Sequence, residues 1–316
     1  MIIPLDQPSF GTHSLTVTGD ADFSVAPSRP SDLDPLNATT ATAARNTRIE
    51  IARVADGTAA GDVTVSTSGV PGMMDNLYTW AEVTWFRSTE FGPGDGTLSG
   101  GGIQIGADIE IGADMVAGLS LGHSRIESEN AGTSVAGDYT YLQPYFASRS
   151  GAWSGTASLI YGAGSFDVDD GAGEADVRLA ALTFEGGYDY ALAPGFTLTP
   201  TLGLIYGREE VEGTAGTLAG CDSEVSFSQL SLGGRLTHLG PDGGLFAGLH
   251  ADYLTNDTES LLTQDLLAED GWSARVEVGG QTALGSGLNL DISVELSGLG
   301  GDMRTVSGGL RIALRF

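Results

Sequence analysis

The chain has 316 residues, room for one large or two modest domains, and no run in it approaches the roughly 20 apolar residues that a helix needs to span a bilayer. Its 14 basic side chains are all arginine and face 41 acids; a net charge of −27 repels phosphate backbones and argues against nucleic acid as a partner. Cys221 is the single cysteine, which excludes an internal disulfide and a cysteine metal cluster and reads as a passenger in a loop.

The first 70 residues are rich in Thr, Ser, Ala and Asp. They hold strand-like pieces at 14–18 and 48–54, a linker at 28–35 and a marginal, Thr-rich helical stretch at 37–45. They are read as a linker, or as the end of a region displayed ahead of the rest. Met1 and the residues after it lack the basic start and apolar run of a signal peptide, so an exported chain is expected to carry a further N-terminal part.

From about Leu77 the pattern changes. Apolar and polar residues alternate in about twelve segments of roughly 9 to 14 residues, broken by Gly, Asp, Asn and Pro. Ile103 and Ile105 oppose Gln104 and Asp108; Leu182, Phe184, Tyr188 and Tyr190 oppose Glu185 and Asp189. Phe196, Leu198, Leu202, Leu204 and Tyr206 oppose three threonines, and Leu245, Ala247, Leu249, Ala251 and Tyr253 oppose His250 and Asp252. Ala274, Val276 and Val278 oppose Arg275 and Glu277. In the clearest segment Leu288, Leu290, Ile292, Val294 and Leu296 oppose Asn289, Asp291, Ser293 and Glu295. The last segment puts Leu310, Ile312, Leu314 and Phe316 on one face and Arg311, Ala313 and Arg315 on the other.

A soluble sheet also alternates, but rarely sustains about twelve strands of this length without curling or splitting. Tyr78, Trp80, Trp153, Tyr188, Tyr190, Tyr206, Tyr253 and Trp272 fall near segment ends, where interfacial girdles belong. Tight turns at 110–114, 149–152, 191–195, 238–243 and 284–287 alternate with longer acidic stretches at 125–137, 166–176, 208–224 and 253–270. The pattern predicts an all-β, membrane-spanning antiparallel barrel of about 12 strands over 71–316, with short periplasmic turns and long acidic outside loops. Its lumen would hold Asp108, Glu185, Asp189, Arg235, Arg275, Glu277, Asp291, Glu295, Arg311 and Arg315, either as a space-filling ion-pair network or as the wall of a path.

The stretch from Leu77 to Phe316 resembles the β-domain of autotransporters (type V secretion). The residues that carry the resemblance are Trp80-Ala-Glu-Val83, Gly100-Gly-Gly-Ile-Gln-Ile-Gly-Ala-Asp-Ile109, Val116-Ala-Gly-Leu-Ser-Leu-Gly122 and the terminal Leu310-Arg-Ile-Ala-Leu-Arg-Phe316. The resemblance implies a translocator in the bacterial outer membrane that exports its own N-terminal passenger. It also implies that Leu310, Ile312, Leu314 and Phe316 are the signal read by the barrel-assembly machinery. That family usually threads a helix through the pore just before the first strand, whereas 63–72 here reads as no helix. Outer-membrane lipid and lipopolysaccharide are the expected surroundings. A stand-alone porin or adhesin barrel, and a soluble β-sandwich binding module, remain as alternatives.

No catalytic constellation emerges, and neither enzyme activity nor a cofactor is expected. The Gly-x-Ser-x-Gly run at 118–122 lies inside an alternating segment rather than on a strand-to-helix elbow, and there is no His-Glu-x-x-His spacing. His250 and Asp252 share a face and read as lumen-lining polar residues rather than a dyad. Asp167, Asp169 and Asp170 with Glu174 and Asp176 offer oxygen ligands without the spacing of a calcium loop, and read as solvated acids.

Overall fold

A computed structural model describes residues 77–315 apart from 91–96, 112–113, 131–132, 169–170, 221, 241–242, 259–269, 286–287 and 302. Everything read above on residues 1–76, together with Cys221, Asp169, Asp170 and Phe316, lies outside the described residues, as does the side chain of Arg315. The described chain is strand throughout, joined by turns. The strands are β1 (Leu77–Glu90), β2 (Thr97–Glu110), β3 (Met115–Asn130), β4 (Thr133–Ser150), β5 (Trp153–Val168), β6 (Gly173–Tyr188) and β7 (Tyr190–Ala193). They continue with β8 (Phe196–Gly216), β9 (Asp222–Gly240), β10 (Gly243–Thr258), β11 (Gly271–Gly285), β12 (Leu288–Leu299) and β13 (Met303–Arg315). No described helix is long and apolar enough to cross a membrane.

Strands next to each other in sequence pair antiparallel, save β6 with β7, and β1 pairs with β13, from Tyr78 opposite Arg315 to Glu90 opposite Met303. The sheet therefore closes on itself. β6 and β7 are one stave interrupted at Asp189, and both pair with β8, so the thirteen segments make a closed barrel of 12 staves. Closure leaves no unpaired edge, which is the condition for a sheet to sit in hydrocarbon. Two-residue connections at 151–152 and 194–195 use Gly151 (φ 61) and Gly195 (φ 77), whose left-handed backbone suits a tight hairpin.

Alternation sets the two faces. Ile103, Ile105, Leu119, Leu121, Leu159, Leu182, Leu202, Leu204, Leu232, Leu245, Leu249, Val278 and Ile292 are exposed on the outside, in a belt running round the barrel. An apolar surface of this extent has no place in water, which removes the soluble sandwich. Trp153, Tyr190, Tyr206 and Trp272 are exposed at the ends of the belt, and Trp153 packs edge-on against Tyr188 as Tyr253 packs on Trp272. Trp85 and Tyr161 join them. Two of the aromatics expected in the girdle face inward instead. Trp80 is buried in the lumen and Tyr78 shares its inward parity, its hydroxyl on Glu110. Trp80 is claimed by partners that only the inner wall offers, Tyr145 and Arg311.

The 48 glycines have a use that composition alone does not show. Inward aromatic rings lie flat across the glycine paired with them on the next strand: Trp80 over Gly106, Phe86 over Gly100, Tyr145 over Gly118, Tyr141 over Gly122, Phe166 over Gly137 and Phe227 over Gly207. A Cβ at Gly122 would lie 2.1 Å from Tyr141 Cζ. Gly122→Ala is therefore expected to cost about 1–3 kcal/mol through a displaced ring. Gly155→Ala on the outer face, where the nearest atom would be 3.7 Å away, is expected to stay within about 0.5 kcal/mol. Urea unfolding of the refolded barrel compares the two, and equal effects would remove the seating argument.

The outside connections take a different form from irregular loops. Strands continue through most of 125–137, 166–176 and 208–224, with Asn130 paired to Thr133, Val168 to Gly173 and Glu212 to Asp222. A tilted strand crosses the hydrocarbon in about 9–11 residues. β8 has 21, so the hairpins stand out beyond the membrane. There the two faces exchange character. Arg125, Glu127, Glu129, Glu174, Asp176, Arg178, Glu210 and Glu212 point outward, while Ile126, Val135, Phe166, Val168 and Val177 are buried inside, with Phe86 and Leu98 and against Val211 and Leu218. This inversion is the arrangement of a water-soluble sheet, and it ends the membrane pattern without ending the strand.

Candidate functional site

The candidate site is the inner wall. On β10 to β13 and β1 it carries a cluster of ionised side chains that the alternation turns inward. Arg275 on β11 donates through Nε to Asp252 Oδ2 at 2.7 Å and through Nη2 to Asp252 Oδ1 at 3.2 Å, a bidentate fork. Its Nη1 reaches Glu295 Oε2 on β12 at 3.3 Å. His250 Nε2 lies 3.4 Å from Glu277 Oε1. One strand further, Arg311 is paired across the sheet with Asp291 on one side and Glu82 on the other, and its guanidinium sits 4.0 Å from the Trp80 ring centroid. At 1% exposure it is among the largest fully buried side chains of the barrel. Arg235 stacks 3.4 Å over the ring of Phe246.

The opposite wall is built mainly from amides, hydroxyls and aromatic rings, with fewer charges. Gln104 Nε2 donates to Ser120 Oγ at 2.6 Å and to Gln143 Oε1 at 2.8 Å; Gln143 Nε2 donates to Ser158 Oγ at 3.0 Å, and Ser158 bonds Thr183 at 2.6 Å. The chain crosses five strands, β2 to β6, as a belt of side-chain hydrogen bonds. Below it Trp80 Nε1 donates to Tyr145 Oη at 2.9 Å, and Tyr145 donates to Asp108 Oδ2 at 2.7 Å. Near the end of the barrel that carries residues 77 and 315, Asp189 is held by Arg149 and by the Thr199 hydroxyl at 2.6 Å.

Of the charges expected in the lumen, Asp108, Arg275, Glu277, Glu295 and Arg311 are buried there, while Glu185, Asp189, Arg235 and Asp291 face inward half-buried. His250 and Asp252 share the face but turn to different partners, Glu277 and Arg275. Asp167, Glu174 and Asp176 stand exposed on the projecting β5–β6 hairpin, with Asp167 opposite Glu174. Among the described residues no group of three or more His, Cys, Asp or Glu is placed to hold a metal ion. Gln104 is buried inward as its polar face predicts, and Glu82, Glu209 and Gln143, which the sequence reading does not place, are buried inward as well. Parity alone would have found Glu82, two residues after the inward Trp80.

A closed 12-stave barrel with an apolar outer belt and a polar, largely acidic inner wall is a membrane-spanning β-barrel. The family model for the autotransporter β-domain matches residues 79–295, and the chain belongs to that family: it is an autotransporter's translocator barrel. Among solved structures it resembles the translocator domain of the autotransporter NalP from Neisseria meningitidis, at 18% identity and a TM-score of 0.63, covering 88% of this chain and 98% of that one. It also resembles the β-domain of the Bordetella autotransporter BrkA (18%, TM-score 0.58, 77% and 100%). A third is the transport unit of AIDA-I from Escherichia coli (14%, TM-score 0.55, 91% and 99%). At these identities the likeness is one of fold. No curated protein matches the sequence.

Proposed function

We propose that the barrel sits in the bacterial outer membrane with both ends of its strand set, Leu77 and Arg315, on the periplasmic side, and that its lumen is the path of an N-terminal passenger to the surface. The observation that carries this reading is the inner wall itself. Carboxylates, arginines, amides and hydroxyls there offer an extended polypeptide exchangeable polar contacts, beside the apolar and aromatic clusters of the same wall. The role is passage rather than catalysis. Residues 1–70 would be the last part of the passenger or the linker behind it.

The reading is tested by placing an epitope ahead of Leu77 in the full chain, behind a signal peptide, and probing intact cells with protease. Loss of the epitope from outside supports it; an epitope protected until the outer membrane is broken favours the stand-alone barrel.

The terminal strand supplies the proposed assembly signal, with Leu310, Ile312 and Leu314 on the lipid side and Phe316 at the chain end. Leu314→Asp is expected to leave protein unfolded in the periplasm and to abolish the heat-modifiable band. Unchanged assembly of that variant would contradict recognition of this strand. Lipopolysaccharide and outer-leaflet lipid would surround the apolar belt.

A further inference from the structure

Five described arginines point to the outside of the barrel: Arg87, Arg125, Arg178, Arg208 and Arg304. They sit on five different staves and all are exposed. Their heights follow from the register. Stepping across paired residues from Tyr78, near the start of β1, through Asp108, Gly118, Tyr145, Ser158, Thr183, Ile205, Gln229 and Leu254 leads to Gly271, at the far end of β11. The rungs thus climb by roughly one residue per strand, as the tilt of a closed barrel requires. Traced back along the rungs to β1, Arg208, Arg178, Arg125, Arg87 and Arg304 arrive at Ala81, Val83, Trp85, Arg87 and Thr89. The most distant arginine arrives lowest, which offsets the climb. The five lie level to within about two residue steps.

The ring has a definite neighbourhood. On β3 the outward residues run Leu121, His123, Arg125, Glu127, Glu129; on β8 they run Leu204, Tyr206, Arg208, Glu210, Glu212. Each arginine stands where the apolar belt ends, and on β3, β6 and β8 acids follow on the far side, with Arg125 on Glu127 at 3.1 Å and Arg208 on Glu210 at 3.2 Å. Arginines serving only to offset those acids would be scattered among them. A single layer at the edge of the lipid belt is where lipid phosphates lie, and a guanidinium binds phosphate bidentately.

We propose that this arginine ring binds the phosphates of the outer leaflet's phosphorylated glycolipid. The proposal rests on the outer-membrane reading, with the arginine-bearing end outward. A headgroup carrying more than one phosphate on a rigid sugar frame can engage arginines of neighbouring staves, which suits a level ring better than single-phosphate lipids do.

The test uses the full chain refolded in detergent, so that its outcome is independent of whether a passenger is displayed. Binding of purified diphosphorylated lipid A is measured by native mass spectrometry, beside dephosphorylated lipid A and phosphatidylglycerol. The parent is expected to retain the diphosphorylated lipid, and the Arg87→Gln, Arg125→Gln, Arg178→Gln, Arg208→Gln, Arg304→Gln variant to bind it roughly tenfold or more weakly. Should that variant fail to give a heat-modifiable band, the pair Arg125→Gln with Arg178→Gln is expected to show a smaller loss in the same direction. Equal retention by folded variant and parent, or equal retention of the dephosphorylated lipid, overturns the site. Phosphatidylglycerol held as tightly as lipid A overturns the choice of glycolipid.

Discussion

Arg275→Met is expected to destabilise the barrel by about 3–5 kcal/mol, because it strands Asp252 and Glu295 beside Glu277 with no cation among them. Arg275 is 3% exposed and its two carboxylate partners are 5% exposed, so bulk water cannot take over its role. The size of the effect comes from the orphaned acids more than from the lost attraction. Adding Asp252→Leu and Glu295→Leu to Arg275→Met is therefore expected to recover much of the loss. Urea unfolding in detergent or liposomes checks both. A loss under about 1 kcal/mol for Arg275→Met would mean that lumen water solvates the cluster as it would a surface pair.

The second large effect contrasts two neighbours in β12. Ile292 is 56% exposed on the outer face, whereas Asp291 faces the lumen half-buried, opposite Arg311. Ile292→Arg puts a charge against hydrocarbon and is expected to cost about 2–4 kcal/mol near mid-membrane. Asp291→Asn keeps a hydrogen-bonding side chain in a mixed-sign wall, where Glu82 also faces Arg311. Its expected cost is about 1 kcal/mol or less. If the two variants unfold at the same urea concentration, the assignment of faces in β12 fails.

The membrane-embedded half of the fold was legible because lipid outside and mainly polar groups inside impose a period of two over most of each strand. Ile292 against Asp291 and Val276 against Arg275 could be placed from sequence for that reason. Legibility ended where the solvent changed. Around Arg125, Asp176 and Glu210 the outward face meets water, so the hydrophobic signal moves to Ile126, Val177 and Val211, and a strand reads as an acidic loop. Trp80 misled for a related reason. Its place near a strand end suggested the girdle, while its parity, shared with Glu82 and Thr84, pointed to the lumen. Which inward charges meet was less legible still. Alternation places Arg275 inside, but only the register sets it beside Asp252 and Glu295.

Passage of a passenger through this lumen can be tested by crosslinking. A full chain with Cys221 replaced by Ser can carry a passenger stalled by a folded domain, with single cysteines at neighbouring positions of opposite face. Ser293 and Ser307 are buried inside, while Ile292 and Val306 are exposed on the lipid side. A short thiol-reactive crosslinker is expected to join the stalled passenger to cysteines at 293 and 307 and to leave 292 and 306 unjoined. Crosslinks at 292 and 306 with none at 293 and 307 would place the passenger outside the barrel and contradict passage through the lumen.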